Sequence, residues 1–381
     1  MAETAELKPV TAEPGRPLFH LVKETVRAAI DAGRFAPGER LPSTKALSTQ
    51  LDVSLVTVHR ALQELVVTGV LRRGQGRGTF VHESYAARSQ VSRGLRFGLV
   101  FHDEASLADN YHGHVLEGVR RGAEALGADL VLLHFGEDWR KECSGFVYVN
   151  PMQEQLDRSP WFGSRSNGAT GGRLKTPPVV VLGASFRRDG VPSIDTDNAD
   201  MAAQAVKHLA ELGHQRIAYV GGGGDLSNNI DRYQGFVSAC VRTGLRPDQR
   251  LVVREPGWRL DDSGNGRAAL HAMLRSSERP TAVFAAGYYY ALDVYAAAAH
   301  VGLSIPGNLS VVGVDDPPSS AHLSPPLTTL RQPLEQLGRL AARRLHDAVC
   351  GGEDDGVATL LPAQMVVRGS TGTAETPGEN R

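Results

Sequence analysis

The chain has 381 residues, a formal net charge of −1, 41% hydrophobic and 22% charged residues. That length exceeds what one hydrophobic core serves, so two or three compact units are expected, and the ordinary composition excludes a fibrous or largely disordered protein. Balanced charge argues against a protein that coats nucleic acid, so any polyanion must meet a local basic patch. Cys143, Cys240 and Cys350 lie far apart in no metal spacing, which fits a reducing cytoplasm. Residues 1–15 are polar and proline-bearing, with no run suited to a signal peptide, and no later run reaches membrane-spanning length; a cytoplasmic protein without membrane contact is expected. Residues 1–15 and 372–381 read as disordered ends.

The first element is a helix through Leu18, Leu21, Val22, Thr25, Val26, Ala29 and Ile30, which repeat at helical spacing. Ser43 precedes the apolar set Ala46, Leu47 and Leu51, and Ser54 precedes Val58, Ala61, Leu62 and Leu65; each serine can accept from free N–H groups of the helix it opens. The two helices meet at Asp52-Val53, and the second is expected to end near Thr68-Gly69. Val70 to Arg73 then alternates as a strand, Gly74 to Gly78 turns the chain with Arg77 at the tip, and Thr79 to Val81 returns. Together these form a small winged helix-turn-helix over residues 16–82.

Lys45, Arg60, Arg72, Arg73 and Arg77 give this segment a local positive footprint. Ser43, Lys45, Ser54, Thr57, His59, Arg60, Arg77 and Gly78 are the candidate DNA-binding residues, and double-stranded operator DNA is the expected partner. The stretch resembles the GntR family of bacterial regulators, on Pro37-Gly38, Leu41 to Ser43, Val53-Ser54, Thr57-Val58, Ala61-Leu62 and the run Gly76 to Val81. The resemblance implies DNA-facing positions at Lys45, Leu55 and His59. That family commonly has arginine at the last two and often at the first, so its operator preference does not transfer.

Residues 83–95 lose periodicity and read as a linker. From Arg96 to Phe101 onward, short apolar runs alternate with helical patterns. Asp129–Phe135, Cys143–Val149, Val179–Leu182, Ile217–Val220, Leu251–Arg254, Ala282–Ala285 and Ser310–Val314 read as strands, those from Cys143 onward as central parallel ones. Helices are expected at Met201–Leu212, Gln234–Thr243, Asn265–Arg275 and Tyr290–Val301. The expected fold is a parallel α/β unit too long for one sheet, whose ligands bind beyond the carboxyl ends of its strands.

This second region resembles the effector-binding domain of LacI/GalR repressors, on Asp195–Asn198, Leu209–Val220, Arg232–Phe236, Ile305–Asp316 and Pro325–Gly338. The resemblance implies a two-lobed fold of the type I periplasmic-binding-protein kind over 96–371. Lobe one would take about 96–188 and 331–352, and lobe two about 189–330 and 353–371. It also implies a ligand cleft with Arg232 gripping hydroxyls or carboxylate, Asp315 accepting and Trp258 stacking. Simple structural roles stay open for each: Arg232 as a helix cap, Asp315 as a turn brace, Trp258 as surface packing. Where relatives carry Asn-Asp the chain has Gly287-Tyr288, which makes Tyr288 a fourth ligand candidate, with packing between helix and sheet as its alternative. The Gly-rich run 161–172 departs from the pattern and has no assigned role.

Gly221–Gly224 lacks the spacing of a phosphate loop and reads as a turn. His102, Asp103, His112 and His114 match no common zinc spacing, so neither metal nor cofactor is expected. The expected protein is a ligand-responsive, homodimeric transcription regulator without catalysis, its effector a sugar or related polar molecule. The alternative is a GntR-headed, aminotransferase-like protein that binds pyridoxal phosphate.

Overall fold

The structure, a computed structural model, describes residues 7, 9–10, 18–67, 70–74, 78–83, 85, 94–101, 109–135, 143–158, 177–185, 191–224, 226–255, 260, 265–352 and 356–374. Helix α1 (Leu18–Asp31) buries Leu21, Val22, Val26, Ala29 and Ile30, the single apolar stripe its spacing demands. Ser43 opens α2 (Thr44–Leu51) by accepting from the Ala46 amide at 3.1 Å, and Asp52 ends it at φ 54°. Ser54 opens α3 (Leu55–Val67), accepting from the Thr57 amide at 3.2 Å. Strands β1 (Leu71–Gly74) and β2 (Gly78–Val81) pair antiparallel with Leu71 opposite Val81. Val22, Val26, Leu47, Leu51, Val58, Leu62, Leu65, Leu71 and Val81 make one core from all these elements.

The chain divides between Leu95 and Arg96. Two expectations fail at the margins of the head. Leu7 is buried in its core and the Val10 amide donates to Leu51 O at 3.0 Å, so part of the segment read as a disordered end is packed. Tyr85, read as linker, is also buried there and donates its hydroxyl to Asp31 Oδ1 at 2.9 Å. Isolated apolar residues in a polar segment carry no periodicity, which is why composition missed them.

Beyond Leu95 the order is β3 (Arg96–Phe101), α4 (Asn110–Ala125), β4 (Asp129–His134), β5 (Gly145–Val149), α5 (Gln153–Arg158), β6 (Val179–Leu182) and β7 (Ser193–Thr196). There follow α6 (Asn198–Glu211), β8 (Ile217–Gly222), α7 (Ser227–Arg242), β9 (Val252–Glu255), α8 (Gly266–Arg275), β10 (Ala282–Ala285) and α9 (Tyr288–His300). The chain continues through β11 (Ser310–Val314), β12 (Thr328–Arg331), α10 (Leu334–Val349), β13 (Thr359–Leu361) and β14 (Gln364–Val366). One sheet has the order β13-β7-β6-β5-β3-β4 with parallel pairing throughout. The other runs β14-β12-β11-β10-β8-β9, parallel except at β14. Strands β5, β6, β10 and β11 are buried at every residue, as expected of strands covered on both faces. The strand at Val252–Glu255, expected in the middle of a sheet, is instead at an edge.

Ser193–Thr196 and Thr359–Leu361 pair with each other in the first sheet. The expected lobe limits, which gave both segments to lobe two, are therefore corrected: the chain passes between sheets after β7, after β12 and after β13. Apolar runs cannot report which sheet a strand joins, because pairing partners are distant in sequence. In lobe one α10 lies against α4, and a side chain on Gly338 would meet Val115 O at 2.6 Å, so glycine lets these backbones meet. The carboxyl end is pinned rather than free up to Ala374, whose amide donates to Leu212 O at 2.8 Å.

Candidate functional site

Two sets of residues can carry function, one in each unit. In the head, α3 follows α2 with the spacing of a helix-turn-helix, and Ser43, Lys45, Ser54 and His59 are exposed. Thr57 shares its hydroxyl with Ser54 at 2.8 Å. The Arg60 guanidinium lies 3.9 Å from the Phe19 ring centroid and 3.9 Å from Glu64 Oε1, so it is partly committed to the head itself. Gly78 takes φ 113°, and a side chain there would meet Arg40 Nε at 2.7 Å. Arg40 is thus a cation at the base of the wing that the sequence reading passed over; its only signal was the Arg40–Phe80 bridge that the fold creates. Arg77 lies outside the described residues.

The second set lies where the strands of the two lobes end. Asn150, at φ 46°, follows β5; Gly183 to Ser185 follow β6; Asp195 and Thr196 close β7; Ala286 follows β10; Asp315, at φ 70°, follows β11. Helix α7 brings Ser227, Asn228, Asp231 and Arg232 to the same place. Arg232 is 7% exposed, and it donates from Nε to Asn198 Oδ1 at 2.8 Å and from Nη1 to Ala286 O at 2.9 Å. Asp315 accepts from Gln332 Nε2 at 2.7 Å, and Gln332 Oε1 accepts from Thr196 Oγ1 at 2.7 Å. That relay joins the crossings after β7 and β12.

Charge ties the group together. Burial pushes the Asp195 carboxyl up to about 7, opposed by Arg232, the Thr196 amide and the Asn198 side chain, while Asp231 adds to the rise. Burial also raises Asp315, again against Arg232. The Tyr111 phenol on α4 is raised well above its usual range by burial and by Asp195, with Arg232 opposing. One guanidinium therefore faces several carboxylates across a low-dielectric cleft.

Hydrogen bonds cross from lobe to lobe at this point. The Ser185 amide donates to Ser227 Oγ at 3.0 Å, the Ser185 hydroxyl to Asp231 Oδ2 at 2.5 Å, and Asn228 Nδ2 to Asn150 Oδ1 at 3.4 Å. Arg232 and Asp315 of the expected set are brought together. The Tyr288 hydroxyl donates to Ser319 Oγ at 2.7 Å and its ring packs against the lobe-two core. Of the three tyrosines, it is buried Tyr290 that lies in the field of Arg232. Trp258, His102, Asp103 and the run 161–172 lie outside the described residues. Tyr111, Asn150, Ser185, Asp231 and Gln332 were missed as site residues, because a polar residue at a strand end or on a helix gives no signal until the sheets are assembled.

Comparison with known proteins finds relatives of both units. Residues 20–81 match the model of bacterial regulatory proteins of the gntR family, and residues 206–371 match the periplasmic binding protein-like domain. Over 351 residues the chain is 30% identical to the HTH-type transcriptional repressor CytR of Escherichia coli, covering 92% of this chain and 97% of that one. The chain belongs to the LacI-type transcriptional repressors. This repressor is also 26% identical to the arabinose metabolism transcriptional repressor of Geobacillus stearothermophilus, over 93% of this chain and 98% of that one. The solved transcriptional regulator CelR–cellobiose complex superposes with a TM-score of 0.62 at 23% identity, covering 93% of this chain and 100% of that one, a likeness of fold. The repressor's two sheets leave the aminotransferase-like alternative without support. Among the described residues no helix is long and apolar enough to cross a membrane.

Proposed function

We propose that this repressor binds an uncharged sugar or a similar polyhydroxy molecule between its lobes and changes its hold on operator DNA in response. The observation that carries the reading is the convergence of Arg232, Asp195, Asp231, Asp315, Asn150, Asn228 and Gln332 at the strand ends of two lobes. Hydroxyls donate and accept at once, which suits alternating donors and acceptors, whereas a carboxylate or phosphate would face the repulsion of several acidic groups. Relatives whose names carry arabinose and cellobiose support the same class. Trp258 is proposed as the stacking face and Tyr288 as a peripheral wall.

A ligand shifts an equilibrium only by its differential affinity for two arrangements. The Ser185–Ser227, Ser185–Asp231 and Asn150–Asn228 bonds exist only when the lobes are near one another, so a ligand that adds to them or replaces them biases lobe closure. In a homodimer that bias alters how two recognition helices are presented to a palindromic site. Ser43, Lys45, Ser54, Thr57, His59, Arg60, Arg77 and Gly78, joined by Arg40, are proposed to contact that site. The protein acts without catalysis, in the cytoplasm with the chromosome.

The test uses the full chain and fluorescent duplexes selected from a random-sequence library, titrated with neutral mono- and disaccharides. At least one sugar is expected to change the apparent affinity and to raise the melting temperature, since a ligand of the folded state stabilises it by mass action. A panel in which no sugar does either, while a sugar phosphate or nucleobase does, would overturn the ligand class.

A further inference from the structure

The exposed start of α3 is apolar. Leu55 is 51% and Val56 77% exposed, while Val58, Ala61, Leu62 and Leu65 of the same helix are buried in the head core. Leaving two aliphatic side chains in water forgoes the burial energy that the rest of the helix collects, unless a partner covers them. Their surroundings offer few free donors. The Thr57 hydroxyl is paired with Ser54, and Arg60 is drawn toward Phe19 and Glu64. His59 is the exposed polar neighbour.

A guanine is read in the major groove by a cation that forks onto two acceptors, and neither Leu55 nor Val56 can do that. The apolar group that the major groove offers is the C5-methyl of thymine. We propose that Val56 and Leu55 seat thymine methyl groups in each operator half-site, so that T·A pairs rather than G·C pairs fix the sequence read by the first turn of α3. The proposal rests on α3 being the helix that reads the operator. Lys45 and Arg40, on neighbouring elements, then supply phosphate contacts that position the helix without reading sequence.

Uracil keeps every hydrogen-bonding group of thymine and lacks only the methyl, so it isolates this contact. Duplexes are selected with the full-length protein from a random-sequence library, and the preferred half-site is resynthesised with deoxyuridine at each thymine in turn. At one or more positions the wild-type protein is expected to bind about threefold to tenfold more weakly, the worth of one buried methyl group. Val56→Ala or Leu55→Ala should then bind the thymine and uracil forms equally at the matching position, and both variants should fold because both side chains lie largely outside the core. Tight selective binding with no uracil effect overturns the assignment alone, as does a full uracil effect in both variants. Alanine variants that change the sedimenting mass instead of the thymine preference assign the pair to self-association and also overturn it. A wild-type protein that prefers no sequence removes the operator reading of α3 itself.

Discussion

The head and the interlobe cleft solve recognition in opposite ways. On α2 and α3 the candidate residues fall within a short stretch and are mostly exposed, and their side chains bond only to close neighbours in the head, as Ser43 and Ser54 do in capping their helices. In the cleft, Tyr111, Asn150, Ser185, Asp195, Arg232, Asp315 and Gln332 come from far-separated segments and are largely withdrawn from solvent, and each holds another. The difference teaches that a surface reader can be altered one side chain at a time, whereas a cleft residue serves folding and recognition together.

The sharpest break of that contrast is Arg232→Ala. Removing the guanidinium leaves Asn198 Oδ1 and Ala286 O without a donor and Asp195 and Asp315 without their compensating charge. A loss of about 3–5 kcal/mol is expected, because two buried acceptors each lose a hydrogen bond to a charged donor. Calorimetry should show the unit beyond Leu95 melting lower by roughly 10 °C while the head transition stays in place. An unchanged melt would return Arg232 to a purely ligand-facing role.

Asp195→Asn separates folding from charge. The folded carboxyl titrates at about 7 against 3.8 in the unfolded chain, so the folded state holds the extra proton between those values. Stability from this group is intact below about pH 4 and is lost as pH rises through about 7, by at most roughly 4 kcal/mol. The asparagine variant should therefore gain on wild type as pH climbs from 4 to 8 in paired denaturant titrations. Burial lowers His208 and His214, which act in the opposite sense below about pH 6.5, but both remain in the two proteins and cancel in the difference. Parallel curves at every pH would show that Asp195 titrates alike in the folded and unfolded chains.

In the head the smallest effect is expected. Arg40 is exposed and beside Gly78, so Arg40→Ala should leave the melting temperature unchanged and lower the log–log salt slope of DNA binding by about 0.9 if one phosphate contact is lost. An equal slope would place Arg40 off the DNA.

Local chemistry made the head legible. Serine caps, a helical stripe and a glycine turn act over a few residues, so Ser43, Ser54 and the α1 to β2 order could be read directly, and the motifs around Arg232 and Asp315 marked the second unit. What the tertiary structure alone decided was nonlocal. Leu7, Val10 and Tyr85 join the head core although nothing in their neighbours demands it, and β7 and β13 find each other across more than half of the second unit. The cleft's other groups, Asn150, Ser185, Asp231 and Gln332, are ordinary polar residues in the sequence. They acquire a role only when two sheets place their strand ends together, because hydrogen bonding and desolvation depend on distances in space that no spacing along the chain encodes.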